Sequence, residues 1–416
     1  MGFDSLQAGS GAAAISVTSW AFLVFAAVAI LVGRLVKGAE LRRGAMLLLN
    51  LGFLSALIRS PGAWLVLTVF LAVVYGLGRI KTKESVRWGA PVQLAVITGL
   101  WVFLFLVRDP ALLPSVNPFA SQAIQLIGIS YLVFRGISYV MEVDLLPEEK
   151  RDALGFLDFM LYFPGLIAGP IARYRSFREA SDGEPTGGEH AVLPALHRIV
   201  DGLLLKLVVA DNLAPLAIFA TSEPATLALP LLWASVLLQL FVIFCDFAGY
   251  CHVVLGTAQL IGAPLPENFN RPFSATNLQR FWERWHISLT SMIRDYVFNP
   301  AAKLIVQRAE RAWQGRLLVA VYFGTMMLVA LWHGTTWGMV LFGVLHGLAL
   351  VAVQLKPKWN KVAPQIPWLQ TAGAKRATHG SAVVATYVFV SLTVVLWMGP
   401  AERWVEIFAL LIGIGA

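Results

Sequence analysis

Two histidines, His333 and His346, stand in the strongly apolar stretch LWHGTTWGMVLFGVLHG. An ionisable side chain in such surroundings is costly, so each histidine is a candidate for function. Imidazole is suited to accept a proton near neutral pH, and a site of low dielectric lowers its pKa further. We predict that His333 is a general base, because Gly334 leaves room for a substrate chain and Trp332 and Trp337 can form the walls.

A second stretch, FWERWHISLTSMIRDY at 281–296, combines aromatic side chains with charged side chains and a histidine. At about 100° per residue, its apolar side chains fall on one side of a helix and its polar ones on the other. The pattern predicts one amphipathic helix at the rim of a cavity, with His286 at the border of the two faces. The alternative is a surface helix whose histidine has no chemical role.

Metal binding and serine-type hydrolysis are weaker explanations of these histidines. On one continuous helix, His333 and His346 would be roughly 20 Å apart, and no nearby cysteine or carboxylate would complete a metal site. The sequence contains neither HExxH nor GxSxG, and Ser288 offers only a hydroxyl near His286. A histidine that accepts a proton is therefore the preferred hypothesis, and no metal is expected.

Composition predicts the elements that hold these residues. Of the 416 residues, 58% are hydrophobic and 13% are charged, whereas about a quarter of a soluble domain is charged. The chain is predicted to be an all-α polytopic membrane protein with roughly 11 to 13 helical segments, the shorter ones tilted, broken or re-entrant. The apolar runs are 15–33, 44–58, 62–78, 89–107, 122–140, 154–169, 199–220, 225–249, 316–332, 335–354, 381–398 and 403–415.

Basic residues predict the orientation in the membrane. Residues 1–14 contain no lysine or arginine, so the first segment is predicted to be a retained span and not a signal peptide. The loops RLVKGAELRR and RIKTKESVR are separated by two spans and therefore lie on one side, which the positive-inside rule assigns to the cytoplasm. The N-terminus is predicted outside. The basic residues of these loops are Arg34, Lys37, Arg42, Arg43, Arg79, Lys81, Lys83 and Arg87.

Other classes of protein fit the sequence less well. The net charge of +8 belongs to short loops, so nucleic acid is not an expected partner. Cys245 and Cys251 form no CxxC motif and predict neither a disulfide nor a metal site. A transporter or flippase would need paired intramembrane charges or inverted repeats, whereas Asp246 is the main intramembrane acid and no repeat is found. One membrane domain over 1–416 is predicted, with surface loops at 176–191 and 355–380.

Several motifs follow one another across most of residues 155–350. They are FPGLIAGPIARYRSF at 163–177, CDFAGY at 245–250, PLPENFN at 264–270, NFNRPFSATNLQRFWERWHISL at 268–289, RDYVF at 294–298, LWHG at 331–334 and HG at 346–347. In type and order they resemble the motifs of the membrane-bound O-acyltransferases, and of the bacterial branch of that family in particular.

This resemblance implies roles for individual residues. His333 matches the catalytic histidine, and His286 matches a second essential position that is expected to orient substrate or to stabilise charge on a thioester oxygen. The alternative for His286 is that it satisfies a buried carbonyl. The implied fold is a ring of helices around a tunnel that joins a cytoplasmic donor to an acceptor on the other face. The further residues expected to bind substrate are Arg284, Trp285, Ser288, Asp295, Trp332, Arg173 and Arg175.

Arg173 and Arg175 are expected at the cytoplasmic mouth of that tunnel, where they would attract an anionic donor. Arginine suits this task because it makes bidentate contacts with phosphate. The alternative is that both arginines anchor a helix end at the lipid headgroups.

Within the family, the length, the short N-terminus and GPIARYRSF look most like the D-alanyl transferases of the teichoic-acid pathway. The alternative is an O-acetyltransferase of alginate, peptidoglycan or another exopolysaccharide. The implied donor is an acyl thioester carried on the phosphopantetheine of an acyl carrier protein, or acyl-CoA, with no permanently bound cofactor. The implied acceptor is an envelope polymer or a lipid-linked form of it. A small membrane or extracytoplasmic partner protein and a location in the bacterial cytoplasmic membrane are also expected.

Overall fold

The computed structural model describes residues 17–58, 60–83, 88–108, 128–181, 192–360 and 372–414. Every regular element within these ranges is helical. The β-type contact among them is an isolated antiparallel bridge between Phe269 and Trp285. The prediction of an all-α protein is therefore confirmed. Residues 1–14, Arg87 and most of the predicted loop at 176–191 lie outside the described ranges.

The described ranges contain sixteen main α-helices. They are α1 (Trp20–Leu35), α2 (Ala39–Leu57), α3 (Pro61–Lys81), α4 (Ala90–Arg108), α5 (Ile129–Glu142), α6 (Ala153–Leu161), α7 (Tyr174–Ser181), α8 (Val192–Leu203), α9 (Leu229–Ile261), α10 (Leu278–Trp282), α11 (Ile287–Ile293), α12 (Asn299–Arg308), α13 (Arg311–His333), α14 (Trp337–Asn360), α15 (Ala372–Val394) and α16 (Ala401–Leu411). Wide π-helical turns follow α8 at Leu204–Ala210 and α11 at Arg294–Phe298.

Six helices among the described residues are long and apolar enough to cross a membrane. They are α3, α4, α9, α13, α14 and α15, and α9 is 33 residues long. The prediction of a multi-pass membrane protein is thus confirmed. The predicted run at 154–169 forms short and interrupted helices, as expected for a run that is too short for a regular span. The run at 199–220 is long enough for a span, but it is interrupted as well.

The chain forms two compact units, which are described separately. The first unit takes its described residues mainly from Leu207–Asp246 and Asn268–Ala416, and the second from Phe3–Lys206 and Phe247–Glu267. The first unit contains His286 and His333.

Arg135 organises the core of the second unit. The residue lies on α5 and is only 1% exposed. Its guanidinium donates hydrogen bonds to the carbonyl oxygens of Phe159, Met160 and Tyr162, at 3.1, 2.9 and 3.1 Å. These carbonyls belong to the C-terminal end of α6, where helical partners run out. A buried cation is tolerated here because its donors are engaged, and it caps α6.

Glycines allow α8 and α9 to pack closely in the same unit. A Cβ atom on Gly202 would lie 2.6 Å from the carbonyl oxygen of Gly249, and one on Gly249 would lie 2.8 Å from that of Gly202. Any side chain at either position would therefore push the two backbones apart, as in other contacts between membrane helices.

An apolar cluster forms the core of the first unit. It joins α9, α16 and the turn after α15, and Trp404 packs against it. Its buried members are Ile218, Leu232, Val236, Val395, Ile407, Leu410 and Leu411.

The prediction of one amphipathic helix over 281–296 is wrong. Helix α10 ends at Trp282 and α11 begins at Ile287. The backbone N–H of Asn270 donates to the carbonyl oxygen of Arg284 at 3.0 Å, and that of Ile287 donates to the carbonyl oxygen of Asn268 at 2.9 Å. The helix is interrupted because residues 268–270 take over backbone groups that it would need.

The assumption that 331–347 is one helix is also wrong. Helix α13 ends at His333 and α14 begins at Trp337, and Gly334 between them is extended, with φ 175° and ψ 165°. The estimated separation of the two histidines along a common helix axis therefore does not apply.

Both predicted surface loops are shorter than expected. Helix α14 continues to Asn360 and α15 begins at Ala372, so much of 355–380 is helical. Helix α7 likewise occupies 176–181. The polar composition of these stretches indicates contact with water, which an exposed helix end satisfies as well as a loop does.

Candidate active site

His333 lies at the C-terminal end of α13, between two tryptophans. Its ring centroid is 4.6 Å from that of Trp332 and 4.5 Å from that of Trp397. Trp332 also meets His286 edge-on, with centroids 5.8 Å apart. The structure therefore brings both predicted histidines against one indole ring. We call His286, Trp332, His333 and Trp397 the histidine cluster.

Trp332 was predicted to be a wall of the site, and it contacts both histidines; its role toward a substrate stays a prediction. Trp337 was predicted to be a second wall, but it is 80% exposed. That prediction is wrong, because Trp337 begins a new helix after the break at Gly334 and turns away from the interior. Trp397, which the sequence did not single out, lies beside His333 instead.

His286 occupies an unusual backbone conformation. It immediately precedes α11 and has φ 48° and ψ 50°, in the left-handed region. This region is unfavourable for most side chains other than glycine and asparagine. The pairing of residues 268–270 with 284–287 imposes it. The same turn leaves the His286 ring only 2% exposed.

Asn268 fixes the protonation of His286. Its Oδ1 atom accepts hydrogen bonds from the backbone N–H of Ser288 at 3.2 Å and from the Ser288 hydroxyl at 2.8 Å. Because a backbone N–H needs an acceptor, this atom is oxygen and not nitrogen. It lies 3.2 Å from Nδ1 of His286. We therefore assign the proton to Nδ1, which leaves Nε2 with its lone pair as an acceptor.

Burial keeps the His286 ring neutral. Loss of solvation lowers the pKa of His286 from 6.5 to about 3, because the charged form is disfavoured away from water. A neutral ring with its proton on Nδ1 is suited to accept a hydrogen bond from a substrate hydroxyl at Nε2.

Acidification is expected to destabilise the protein through His286. The pKa of His286 is 6.5 in the unfolded chain and about 3 in the folded protein, so between these pH values only the unfolded chain binds the proton. The stability contributed by the neutral ring is therefore complete above pH 6.5 and is lost as the pH falls below it. The loss should be about 1 kcal/mol over the first pH unit below that value. Thermal unfolding of the wild type and of His286→Asn at about pH 7.5, 6.5 and 5.5 measures it. Equal pH dependence in both proteins would contradict the assignment.

His346 is engaged on both ring nitrogens. Trp282 Nε1 donates to His346 Nδ1 at 3.2 Å, so the proton of His346 lies on Nε2. Nε2 in turn donates to the hydroxyl of Thr393 at 2.8 Å, and that hydroxyl donates to the carbonyl oxygen of Val390 at 2.9 Å. His346 therefore cross-links α10, α14 and α15, and neither of its nitrogens is available to a substrate.

The remaining predicted residues of the first unit differ in their surroundings. Ser288 reaches His286 through the shared oxygen of Asn268. Trp285 is buried and stacks on Phe281, with centroids 5.3 Å apart. Its role as a substrate ligand stays a prediction.

Arg284 and Asp295 make polar contacts within the same segment of the chain. Arg284 donates to the hydroxyl of Ser274 at 3.0 Å, and Asp295 pairs with Arg294 at 2.9 Å. The role of Arg284 and Asp295 in substrate binding stays a prediction.

Arg173 and Arg175 belong to the second unit. The guanidinium of Arg175 is half-exposed and pairs with Glu179 at 2.8 Å, while its backbone N–H donates to Glu142 at 3.0 Å. Such an exposed pair contributes little to stability. The role of both arginines toward a donor stays a prediction.

A cavity of about 210 Å³ lies in the first unit. Its wall is mostly apolar, with Trp282, Ile293, Phe298 and Met326 among its lining residues, and Arg294 also borders it. Trp282 is the side chain that holds His346. Within the described ranges, no three His, Cys, Asp or Glu side chains group closely enough to hold a metal ion.

Sequence reasoning missed two residues of the site. Asn268 stood inside a motif but carried no assigned role, although its short amide side chain before a run of polar residues was a usable signal. Trp397 lies far along the chain from His333, and no periodicity connects them.

Comparison with known proteins adds an independent observation. The sequence model of the membrane-bound O-acyltransferase (MBOAT) family matches residues 103–372 of this chain. The teichoic acid D-alanyltransferase of Bacillus subtilis is 32% identical over 284 residues, which are 66% of this chain and 69% of that protein. The enzyme of the same name from Streptococcus thermophilus is 35% identical over 293 residues, 67% of each chain. The probable alginate O-acetylase of Azotobacter vinelandii is 33% identical over 302 residues, 69% of this chain and 58% of that protein.

Proposed function

This chain belongs to the membrane-bound O-acyltransferase family, and we propose that it moves a D-alanyl group from a carrier-protein thioester to a hydroxyl of an envelope polymer such as teichoic acid. The observation that carries the proposal is the histidine cluster, in which one indole ring contacts both His286 and His333. Two imidazoles beside one apolar ring suit a reaction in which a proton leaves a hydroxyl.

The proposed reaction has two stages, attack on the thioester and collapse of the intermediate, and each includes one proton transfer. His333 takes the proton of the acceptor hydroxyl as its oxygen attacks the thioester carbonyl carbon. A C–O bond forms, the tetrahedral intermediate collapses and the C–S bond breaks. The proton on His333 then passes to the departing sulfur, which leaves as a thiol. His286 orients the acceptor, because its Nε2 lone pair accepts a hydrogen bond.

The choice of acyl group rests on the relatives. The two teichoic acid D-alanyltransferases are covered over 69% and 67% of their length. The probable alginate O-acetylase is matched at a similar identity of 33%, which keeps O-acetyl transfer to a polysaccharide as the second candidate. Both candidates share the thioester donor, the hydroxyl acceptor and the use of His333.

A reconstituted assay distinguishes these candidates. The purified full chain in liposomes would receive either a carrier protein charged with radiolabelled D-alanine on its phosphopantetheine or radiolabelled acetyl-CoA. Lipoteichoic acid and alginate would serve as acceptors. We expect label to pass from the carrier protein to lipoteichoic acid. Transfer only from acetyl-CoA would support the second candidate, and no transfer from either donor to either acceptor would contradict both.

Arg173 and Arg175 are proposed to attract the anionic donor. Replacing both by glutamine should raise the apparent KM for the charged carrier protein several-fold and leave kcat unchanged. Added salt should have the same effect on the wild type, because exposed charges are screened over about 8 Å at physiological ionic strength. Replacing the exposed Arg376 by glutamine is the control. An unchanged donor KM in the double variant, with normal membrane insertion, would leave the anchoring role.

The other parts of the proposal concern the surroundings of the enzyme. We propose that no cofactor is permanently bound and that the donor is the carried thioester or acyl-CoA. The cytoplasmic membrane of a bacterium is the proposed location, with the N-terminus outside. A tunnel between donor and acceptor, and a small membrane or extracytoplasmic partner protein, belong to the same proposal.

A further inference from the structure

Trp397 carries a buried hydrogen-bond donor beside His333. The two ring centroids are 4.5 Å apart and the ring planes are inclined by 35°. The Nε1 atom of Trp397 is buried and has no hydrogen-bond partner within the described part of the chain. A buried N–H without a partner is costly, so this atom requires an explanation.

Surrounding elements hold Trp397 firmly in place. It ends the 3-10 turn that follows α15. A Cβ atom on Gly338 would lie 2.1 Å from the carbonyl oxygen of Leu396, so the turn packs directly on the start of α14. Phe342 meets Trp397 edge-on at 5.5 Å, and His346 stacks on Phe342 at 4.0 Å. The indole is therefore pre-organised, as a group that stabilises a transition state must be.

The proposed reaction needs a donor that the two histidines do not supply. As the hydroxyl attacks, the thioester carbonyl oxygen becomes an oxyanion, and enzymes stabilise such an oxygen with fixed hydrogen-bond donors. His333 starts the step as a proton acceptor. The tautomer assigned to His286 leaves Nε2 as an acceptor too.

We propose that Trp397 is a catalytic residue whose indole N–H donates a hydrogen bond to the thioester carbonyl oxygen of the donor. This inference rests on the proposed acyl-transfer function. When the C–O bond forms, the π electrons of the carbonyl move to that oxygen and Trp397 stabilises the negative charge. When the intermediate collapses, the electrons return, the C–S bond breaks and the sulfur receives the proton from His333. Trp397 itself exchanges no proton.

Trp404 provides a matched control in the same unit. Its Nε1 atom is also buried without a partner among the residues that the structure describes. Its ring, however, packs against the apolar cluster of the first unit and not on His333. Replacing Trp404 by phenylalanine therefore removes an unpartnered indole N–H of the same kind and leaves all four side chains of the histidine cluster unchanged.

The test compares Trp397→Phe with Trp404→Phe in the liposome assay. Phenylalanine keeps an aromatic ring against His333 and removes only the donor. We expect Trp397→Phe to lower kcat about tenfold to a hundredfold with the donor KM within about twofold of the wild type, because the hydrogen bond strengthens as negative charge develops on the carbonyl oxygen in the transition state. Trp404→Phe should keep kcat within about twofold. Both variants are measured on the monodisperse fraction, with their melting temperatures.

The inference is overturned if the kcat of Trp397→Phe is within about twofold of the wild type, whether or not the donor KM rises. The variant His333→Ala, measured alongside, separates this inference from the proposed function. If His333→Ala is inactive and Trp397→Phe is normal, only the role of Trp397 fails. If His333→Ala remains active, the proposed mechanism itself fails.

Discussion

Replacement of His333 by alanine is expected to reduce acyl transfer at least a hundredfold while the protein remains folded. A positioned general base contributes about 10²–10⁴-fold to a rate, and among the described residues His333 is the imidazole that borders both Trp332 and Trp397. Folding should persist, because His333 ends a helix beside an extended glycine and is only partly buried. Transfer of label in liposomes, normalised to monodisperse protein, gives the rate.

The matched control for this variant is His379→Ala. His379 is exposed on α15, so its replacement tests for general effects of losing a histidine. We expect wild-type transfer in that variant. If His333→Ala keeps more than about a tenth of the wild-type rate, His333 is not the base.

Removal of the His286 side chain is expected to lower kcat about a hundredfold, since a group that orients the acceptor contributes through proximity. The left-handed backbone of His286, with φ 48°, decides which replacements test this cleanly. Glycine and asparagine tolerate that conformation, whereas leucine would add backbone strain to the loss of the ring. His286→Gly removes the ring alone. His286→Asn keeps a side-chain acceptor and should retain more activity than the glycine variant.

Melting temperatures accompany both measurements. If the glycine and asparagine variants are equally active and close to the wild type, His286 has no part in the reaction and only satisfies its neighbour Asn268. If both variants are inactive and both have lowered melting temperatures, Asn268→Ala is measured as well. This variant removes the hydrogen bond to Nδ1 and keeps the His286 ring. Its activity therefore distinguishes a disordered turn from the loss of the ring as an acceptor.

Composition and motif spacing predicted the class of fold and three of the four residues in the histidine cluster, namely His286, Trp332 and His333. Membrane helices can be recognised in a sequence because lipid requires long apolar runs. His333 was identifiable because a histidine is out of place in such a run, and His286 because it fell inside a recognisable motif. These are local signals, which a single stretch of sequence contains completely.

What the sequence could not predict depends on contacts between distant residues. Periodicity indicated a continuous helix over 281–296, but hydrogen bonds from residues 268–270 interrupt it at 283–286. The tautomer of His286 depends on which atom of Asn268 faces it. Gly334 was interpreted as space for a substrate. It also ends α13, and Trp337 at the start of the next helix is exposed.

The position of Trp397 has a consequence for how much of this protein is needed for activity. The family model ends at residue 372, whereas the ring that faces His333 comes later in the chain, on the turn after α15. A protein shortened to the matched segment would keep every diagnostic motif and lack the Trp397 ring of the histidine cluster. Sequence surveys that judge completeness by the matched segment alone would count such truncated genes as intact enzymes.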